Sequence, residues 1–261
     1  MEFIPVYTPF LTTIVMASKI IYMVDNVKNT IYKYPLGYIF TTHDFDILVM
    51  NPKVVNKILN DLVAEGYLCK LSKGRFYKPE HGKFGELKPD TYQTVKDLLV
   101  KDGKLTGYIT GYYAFNELML TTQVPAILQI ASRKEKKAIV RGIYRIHFVK
   151  QENTITKETV PLLRLLDCLR FFKIIPDTTP DKACQRLLQL LKELDEQHIV
   201  KIKKLSLKYN PQTISLLGAM LETLNPTEDT DALFKKLNPI TQYKLSISEN
   251  VLPTQKKWKI K

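Results

Sequence analysis

Apolar residues recur at three- and four-residue steps through Ala17, Ile20, Ile21, Val24, Val27 and Ile31, which predicts a helix with one apolar stripe ending near Tyr34-Pro35. Gly37-Tyr38-Ile39-Phe40 then reads as a short extended piece. Thr41-Thr42-His43-Asp44 pairs an N-cap hydroxyl with an acid three residues on, starting a short second helix through about Leu48. Asn51-Pro52 sets an N-cap side chain before a proline at the first helical position, and Gly66 supplies a left-handed stop after Ala64. On this third helix Val55, Ile58, Leu59 and Leu62 share one face, and Lys53, Asn56, Lys57 and Asn60 the opposite one. Tyr67 to Leu71 and Arg75 to Lys78 read as two strands around a three-residue Ser72-Lys73-Gly74 loop. That order of elements is the order of a winged helix-turn-helix domain, expected over residues 17–79 behind a leader at 1–16.

After Pro79 the segment "EHGKFGELKPD" is rich in Gly, Pro and charge without periodicity, which places a linker at residues 80–89. Asp90 to Lys101 predicts a helix, Gly103 to Gly111 an irregular turn, and Tyr112 to Leu118 a short helix. Ala126 to Ala131, Lys137 to Val140 and Tyr144 to Val149 look like strands of a small sheet. From Glu158 the pattern turns helical in "TVPLLRLLDCLRFFKII", "DKACQRLLQLLKELDEQ" and "PQTISLLGAMLETL". Asn210-Pro211 repeats the capping device of Asn51-Pro52, and Asn225-Pro226 ends the last of these helices. The C-terminal domain is expected over 90–250, with "KKWKIK" in a frayed basic tail at 251–261. The fold class is therefore α+β: a winged helix-turn-helix followed by a larger C-terminal domain with a small sheet and several helices.

The stretch "GYYAFNELMLTTQVP", residues 111–125, has the density of a motif but holds no nucleophile with a base beside it. Ala114, Phe115 and Leu118 share a helix face, and Thr121, Thr122 and Gln123 can bond to backbone where the chain turns toward Val124-Pro125. It reads as an architectural corner.

Composition narrows the function. No run of about 18 uncharged apolar residues is present, so no membrane span is encoded. Phe3 to Ala17 is apolar, but Glu2 stands where a signal peptide has basic residues, and Pro5 and Pro9 interrupt it; a loose leader is expected, with Met16 offering an alternative start. Cys69, Cys168 and Cys184 are far apart and odd in number, which fits a reducing cytoplasm and excludes a disulfide framework. His43, His81, His147 and His198 show no metal-ligand spacing, and neither metal nor other cofactor is expected. Net charge is +13, and its placement is uneven: residues 1–80 carry 9 basic and 7 acidic side chains, residues 81–261 carry 30 and 19. A polyanionic partner follows, nucleic acid before membrane, since no basic amphipathic helix stands out.

The candidate DNA-binding residues are Lys53, Asn56, Lys57 and Asn60 on the third helix, where Asn suits an adenine edge and Lys a guanine or a phosphate. Lys70, Lys73, Arg75 and Lys78, with Ser72 at the hairpin tip and Thr42 at the second helix, would reach flanking phosphates. A second basic patch gathers Arg133, Lys134, Lys136, Lys137, Arg141 and Arg145; alternation along "AIVRGIYRIHF" would turn Arg141 and Arg145 to one strand face, against DNA flank, RNA or an acidic partner. Asp44-Phe45-Asp46 is similar to a nucleotidyltransferase carboxylate pair but lacks the Gly-Ser turn, and better suits the positive end of a short helix. Pro89-Asp90 and Glu135-Lys136-Lys137 follow the residue order of many nucleases across a long gap. No phosphate-binding G-x-x-x-x-G-K-[ST] loop exists.

Four stretches together resemble AbiEi-type proteins, the antitoxin and transcriptional-regulator half of bacterial AbiE toxin-antitoxin systems. They are "GYIFTTHDF…VVNKILNDLVAEGYLCKLSKGRFYKP", "FGELKPD", "GYYAFNELMLTTQVP" and "LKYNPQTISLLGAMLE…LNPITQYKL", and the resemblance spans about residues 17–247. It implies a winged-helix domain that represses its own operon at inverted repeats on double-stranded DNA, joined to a C-terminal domain needed for antitoxin action. The counterpart it implies is a nucleotidyltransferase toxin, counteracted in the type IV manner without a stable complex. Carried onto this chain, the recognition helix is Pro52 to Ala64, the wing Tyr67 to Lys78, and Asp44 and Asp46 are helix-two residues. One departure stands out: Ile214 follows Asn210-Pro211-Gln212-Thr213 where relatives often carry an arginine. The expected protein is cytoplasmic, non-enzymatic and DNA-binding; the rivals are a nuclease-like or nucleotide-modifying enzyme targeted by the same domain, and a protein-docking module.

Overall fold

The computed structural model describes residues 8–45, 51–83, 85–124 and 126–261, with side chains described from residue 18 onward. Backbone contacts divide the chain into two compact units, Met1–Lys96 and Asp97–Lys261, and the architecture is mixed α and β.

The first unit begins with α1 (Thr8–Lys33), followed by β1 (Ile39–Phe40), α2 (Pro52–Ala64), β2 (Cys69–Ser72), β3 (Arg75–Tyr77), β4 (Glu80–Gly82), β5 (Gly85–Leu87) and the start of α3 (Thr91–Leu99). Part of the stretch expected as a loose leader is thus helical; Pro9 falls in the first turn, where a helix needs no backbone donor. Residues 1–7 of that leader lie outside the described residues. Among the described side chains only the C-terminal part of the α1 stripe is buried: Val27 and Ile31 enter the core, whereas Ile20 and Ile21 are exposed. Thr41 forms the expected capping box with Asp44, but the turn it starts is 3-10 over Thr42–Asp44, and the rest of the expected second helix, with Asp46 and Leu48, lies outside the described residues.

Val27 and Ile31 meet Val55, Ile58, Leu59 and Leu62 of α2, and a cluster of rings closes the core, with Phe40 stacked on Tyr34 at 5.4 Å and edge-on to Phe45 at 5.9 Å. The three-stranded sheet has the order β1-β3-β2, antiparallel throughout, with Ile39 and Cys69 flanking Tyr77. Residues 80–89, expected as an irregular linker, contain the β4–β5 hairpin; Tyr77 donates its hydroxyl hydrogen to Glu86 of that hairpin, which ties it to the sheet. The division between the units falls later, inside α3.

In the second unit a small hairpin, β6 (Val100–Lys101) and β7 (Lys104–Leu105), leads into β8 (Gly107–Thr110) and α4 (Tyr112–Glu117). The sheet is completed by β9 (Ile127–Ser132), β10 (Ile139–Arg141) and β11 (Tyr144–Lys150), in the order β10-β11-β9-β8, with β9 and β11 parallel and the other pairs antiparallel. Residues 107–110, expected within an irregular turn, are the buried edge strand of this sheet. Their glycine marks a close approach: a Cβ at Gly107 would lie 3.0 Å from the carbonyl oxygen of Ala131.

The helices α5 (Val160–Arg170), α6 (Pro180–Lys192), α7 (Glu196–Ser206) and α8 (Pro211–Leu224) pack their apolar faces together, with α9 (Asp231–Phe234) alongside. Proline sits at or near the start of α5, α6 and α8, and Thr179, Asp195 and Asn210 cap α6, α7 and α8 through side-chain oxygens. The segment 251–261, expected as a frayed tail, is part of the core: Trp258 is fully buried, the Lys261 amide donates to the Tyr243 carbonyl at 2.8 Å, and the Tyr243 and Leu245 amides donate to the Lys259 and Lys261 carbonyls at 2.8 and 2.9 Å. One large ring among four lysines is enough to anchor the segment.

Candidate nucleic-acid interface

The helix α2 is built as its sequence requires. Asn51 Oδ1 accepts the Lys53 amide hydrogen at 2.9 Å, Pro52 takes the first position, and burial of Val55, Ile58, Leu59 and Leu62 fixes the helix's rotation about its axis. Lys53, Asn56 and Lys57 are consequently exposed on the far side. Asn60 is half-buried and already engaged: its amide donates to the Asn56 carbonyl at 2.6 Å and its oxygen accepts from Lys70 Nζ at 2.9 Å. Asn60 and Lys70 thus fasten the hairpin to α2, and the reading face narrows to Lys53, Asn56 and Lys57.

The β2–β3 hairpin turns at Lys73-Gly74, with Gly74 in the left-handed region at φ 71° and Ser72 paired to Arg75. Ser72 is therefore a strand residue and not the tip; its hydroxyl oxygen is buried, because the strand extends one residue further than its apolar pattern predicts. Lys73 is exposed at the turn, Arg75 is half-buried, and Lys78 lies with its ammonium 5.6 Å from the centre of the Tyr32 ring. Thr42 is half-buried in the 3-10 turn. The structure brings Lys53, Asn56, Lys57 and Lys73 into one unit as exposed donors, and gives Asn60, Lys70 and Ser72 to its packing.

In the second unit Arg133, Lys134, Lys136 and Lys137 are all exposed between β9 and β10, and Arg145 is exposed on β11. Arg141 departs from the expected patch. It is buried, and its guanidinium holds both carboxylate oxygens of Asp97, with Nη2 to Oδ2 at 2.8 Å. The chain reverses at Gly142, so that Arg141 pairs with Tyr144 and Val140 with Arg145. Alternation cannot be counted through a turn, and the two arginines point to opposite faces.

The nuclease-like pair finds structural employment on the Asp90 side, whose carboxylate accepts the Gln93 amide hydrogen at 2.8 Å and caps α3; Glu135 is exposed. Among the described residues no three His, Cys, Asp or Glu side chains are grouped to hold a metal ion. Burial pushes the Cys168 thiol well above its ordinary range and the Cys184 thiol up to about 12, so neither forms a thiolate near neutral pH. The corner at 111–124 serves the backbone: Asn116 Nδ2 donates to the Gln123 carbonyl at 3.1 Å, and the Gln123 amide donates to Thr121 Oγ1 at 3.2 Å. Pro125 lies outside the described residues.

One polar assembly has no counterpart in the sequence motifs. Asp167, fully enclosed within α5, accepts hydrogen bonds from the hydroxyls of Tyr108 at 2.7 Å, Thr110 at 2.6 Å and Tyr209 at 3.0 Å. Gln151 Nε2 donates to both tyrosine oxygens, at 2.9 and 2.8 Å, and Gln151 Oε1 accepts from the backbone and side-chain amides of Asn153. Burial raises the Asp167 carboxyl above the usual carboxylate range, while the three hydroxyl donors oppose that shift. The available signal was a lone acid inside the apolar run "LLDCL".

Comparisons with known proteins bear on the fold. A crystal structure of the RV2827C protein from Mycobacterium tuberculosis is similar over 85% of this chain and 84% of that chain, at 13% identity and a TM-score of 0.50, a likeness of fold alone. No curated protein matches the sequence. Among the described residues no helix is long and apolar enough to cross a membrane. A family model described as "Family of unknown function (DUF6088)" matches residues 26–199, two thirds of the chain, and the protein therefore belongs to the DUF6088 family.

Proposed function

We propose that residues 17–79 form a winged helix-turn-helix that binds double-stranded DNA, with α2 in the major groove and the β2–β3 hairpin against the backbone. The observation that carries the reading is the exposure of Lys53, Asn56 and Lys57 on one side of a helix whose other side is locked in the core, with Lys73 exposed at the turn of the adjacent hairpin. The excess of basic residues supports a polyanionic partner. The resemblance to AbiEi-type proteins extends the proposal: a cytoplasmic, non-enzymatic autoregulator and antitoxin, opposed to a nucleotidyltransferase toxin.

The test is binding to inverted repeats upstream of its own gene. Lys57→Ala and Asn56→Ala are each expected to weaken specific binding by about 1–3 kcal/mol, the range for a lost base contact. Unchanged affinity in both would remove the recognition-helix assignment. Lys73→Ala is expected to weaken binding to all sequences alike and to lower the salt slope by about one; an unaltered slope places the hairpin off the backbone. For the antitoxin half, co-expression with a nucleotidyltransferase from the adjacent reading frame is expected to relieve its toxicity, and persistent toxicity overturns that half.

A further inference from the structure

The second unit contains a cavity of about 140 Å³ that the DNA-binding reading leaves without a role. Its walls come from three places in the chain: the end of β11 with the residues that follow, the last residue of α5, and the connection between α7 and α8. Each place contributes one cation, respectively Lys150, Arg170 and Lys208. One acid, Glu152, also lines it and pairs with Lys150 at 3.2 Å, which leaves the cavity net positive.

The walls are fixed from behind by the buried Asp167 assembly. Gln151 reaches Tyr209 at 2.8 Å, Tyr209 reaches Asp167 at 3.0 Å, and Asn153 Nδ2 donates to the Leu205 carbonyl at 3.0 Å, so that β11, α5 and α7 are held in one arrangement. Arg170 Nη1 donates to the Lys150 carbonyl at 3.2 Å and its guanidinium lies 5.2 Å from the centre of the Phe171 ring, which restricts where it can point. That contact uses one of five guanidinium donors. The carboxamide oxygen of Asn210 is already taken by the Thr213 amide at 2.9 Å, so recognition falls to the cations and not to the end of α8.

We propose that this cavity binds a phosphate group, with Arg170 as the oriented donor and Lys150 and Lys208 as flanking charges. Three cations from separate elements around a small preformed space favour a tetrahedral polyanion, and a planar guanidinium offers paired donors to its oxygens. The volume lies below the roughly 300–1,000 Å³ of pockets that enclose whole drug-sized ligands, which suits a phosphate and not an entire nucleotide. The site lies wholly within residues 97–261 and stands whether or not α2 binds DNA.

The experiment is calorimetric titration of the full-length protein with inorganic phosphate, with thymidine 5′-monophosphate against thymidine, and with the dinucleotide TpT. Saturable binding of inorganic phosphate and of the monophosphate, and none of thymidine, is expected. Lys208→Gln and Arg170→Gln should each weaken it about tenfold, and Glu152→Gln should tighten it. Lys208 is exposed, so its variant keeps the fold even where the Arg170 variant does not. TpT bound as tightly as the monophosphate assigns the site to a phosphodiester backbone; the monophosphate alone assigns it to a phosphomonoester. If Arg170 and Lys208 serve only the helix ends they follow, their variants move the melting temperature and leave phosphate affinity unchanged. That result, or a titration without saturation, overturns the proposal.

Discussion

Trp258→Ala is expected to destabilise the second unit by about 3–5 kcal/mol, the usual loss for truncating a fully buried indole. The ring lies three residues from the end of the sequence, yet it is fully buried, edge-on to Phe234 at 5.4 Å, and its carbonyl accepts the Ser215 hydroxyl hydrogen at 2.5 Å. It rests directly on α8 because residue 218 has no side chain: a Cβ there would lie 2.1 Å from the ring. Gly218→Ala should therefore be destabilising in the wild-type background. In the Trp258→Ala background the same change removes the clash and exchanges a poor helix former for a good one, worth about 0.8–1 kcal/mol in the other direction. A double-mutant cycle by urea unfolding reads the sign reversal. A loss under about 1 kcal/mol for Trp258→Ala, or a Gly218→Ala effect of the same sign in both backgrounds, would mean that the chain end is frayed after all.

The same contact explains where reading the sequence succeeds and where it stops. Asn51-Pro52 and Asn210-Pro211 place the starts of α2 and α8 correctly, because capping depends on side chains within three residues of the helix end. The strands β9, β10 and β11 are likewise legible to within two residues in their apolar runs. The break between α6 and α7 is not legible in the pattern, although Asp195 caps the second helix, because "DKACQRLLQLLKELDEQ" keeps its helical period across the junction. Glycine departs from expectation at residue 107, which its pattern places in an irregular turn, whereas Gly218 lies in a helix as its apolar pattern predicts. Gly107 lies in a strand because the backbone of β9 passes close behind it, and Gly218 lies in a helix because an indole covers it. Both are facts about distant parts of the chain. Arg141 illustrates the same limit at the candidate interface: its charge is legible, but its burial against Asp97 follows from a turn and a partner 44 residues away. Lys150, Arg170 and Lys208 are scattered among many surface cations, and only the fold sets them around one cavity.

Asp167→Ala is expected to destabilise the second unit by about 3–4 kcal/mol, because it strands the Tyr108 and Thr110 hydroxyls without their acceptor and leaves Tyr209 the longer bond to the Leu163 carbonyl. Asp167→Asn should lose less, about 1–2 kcal/mol. Its oxygen can still serve Tyr108 and Thr110, and Tyr209 can turn its hydrogen to the Leu163 carbonyl at 3.3 Å. The pH dependence separates charge from hydrogen bonding. Burial raises the folded-state carboxyl above its unfolded value, so over the interval between the two the native chain holds a proton that the unfolded chain has lost. The stability linked to that proton is fully present below the ordinary aspartate value of about 3.9 and is lost as pH rises through the folded value. Asparagine does not titrate. The stability of the wild type relative to Asp167→Asn should therefore decline as pH rises above the ordinary aspartate value of about 3.9, measured by urea unfolding at each pH. A difference that stays constant or grows with pH would mean that the three hydroxyl donors outweigh burial and that the carboxylate, once formed, is the stabilised species.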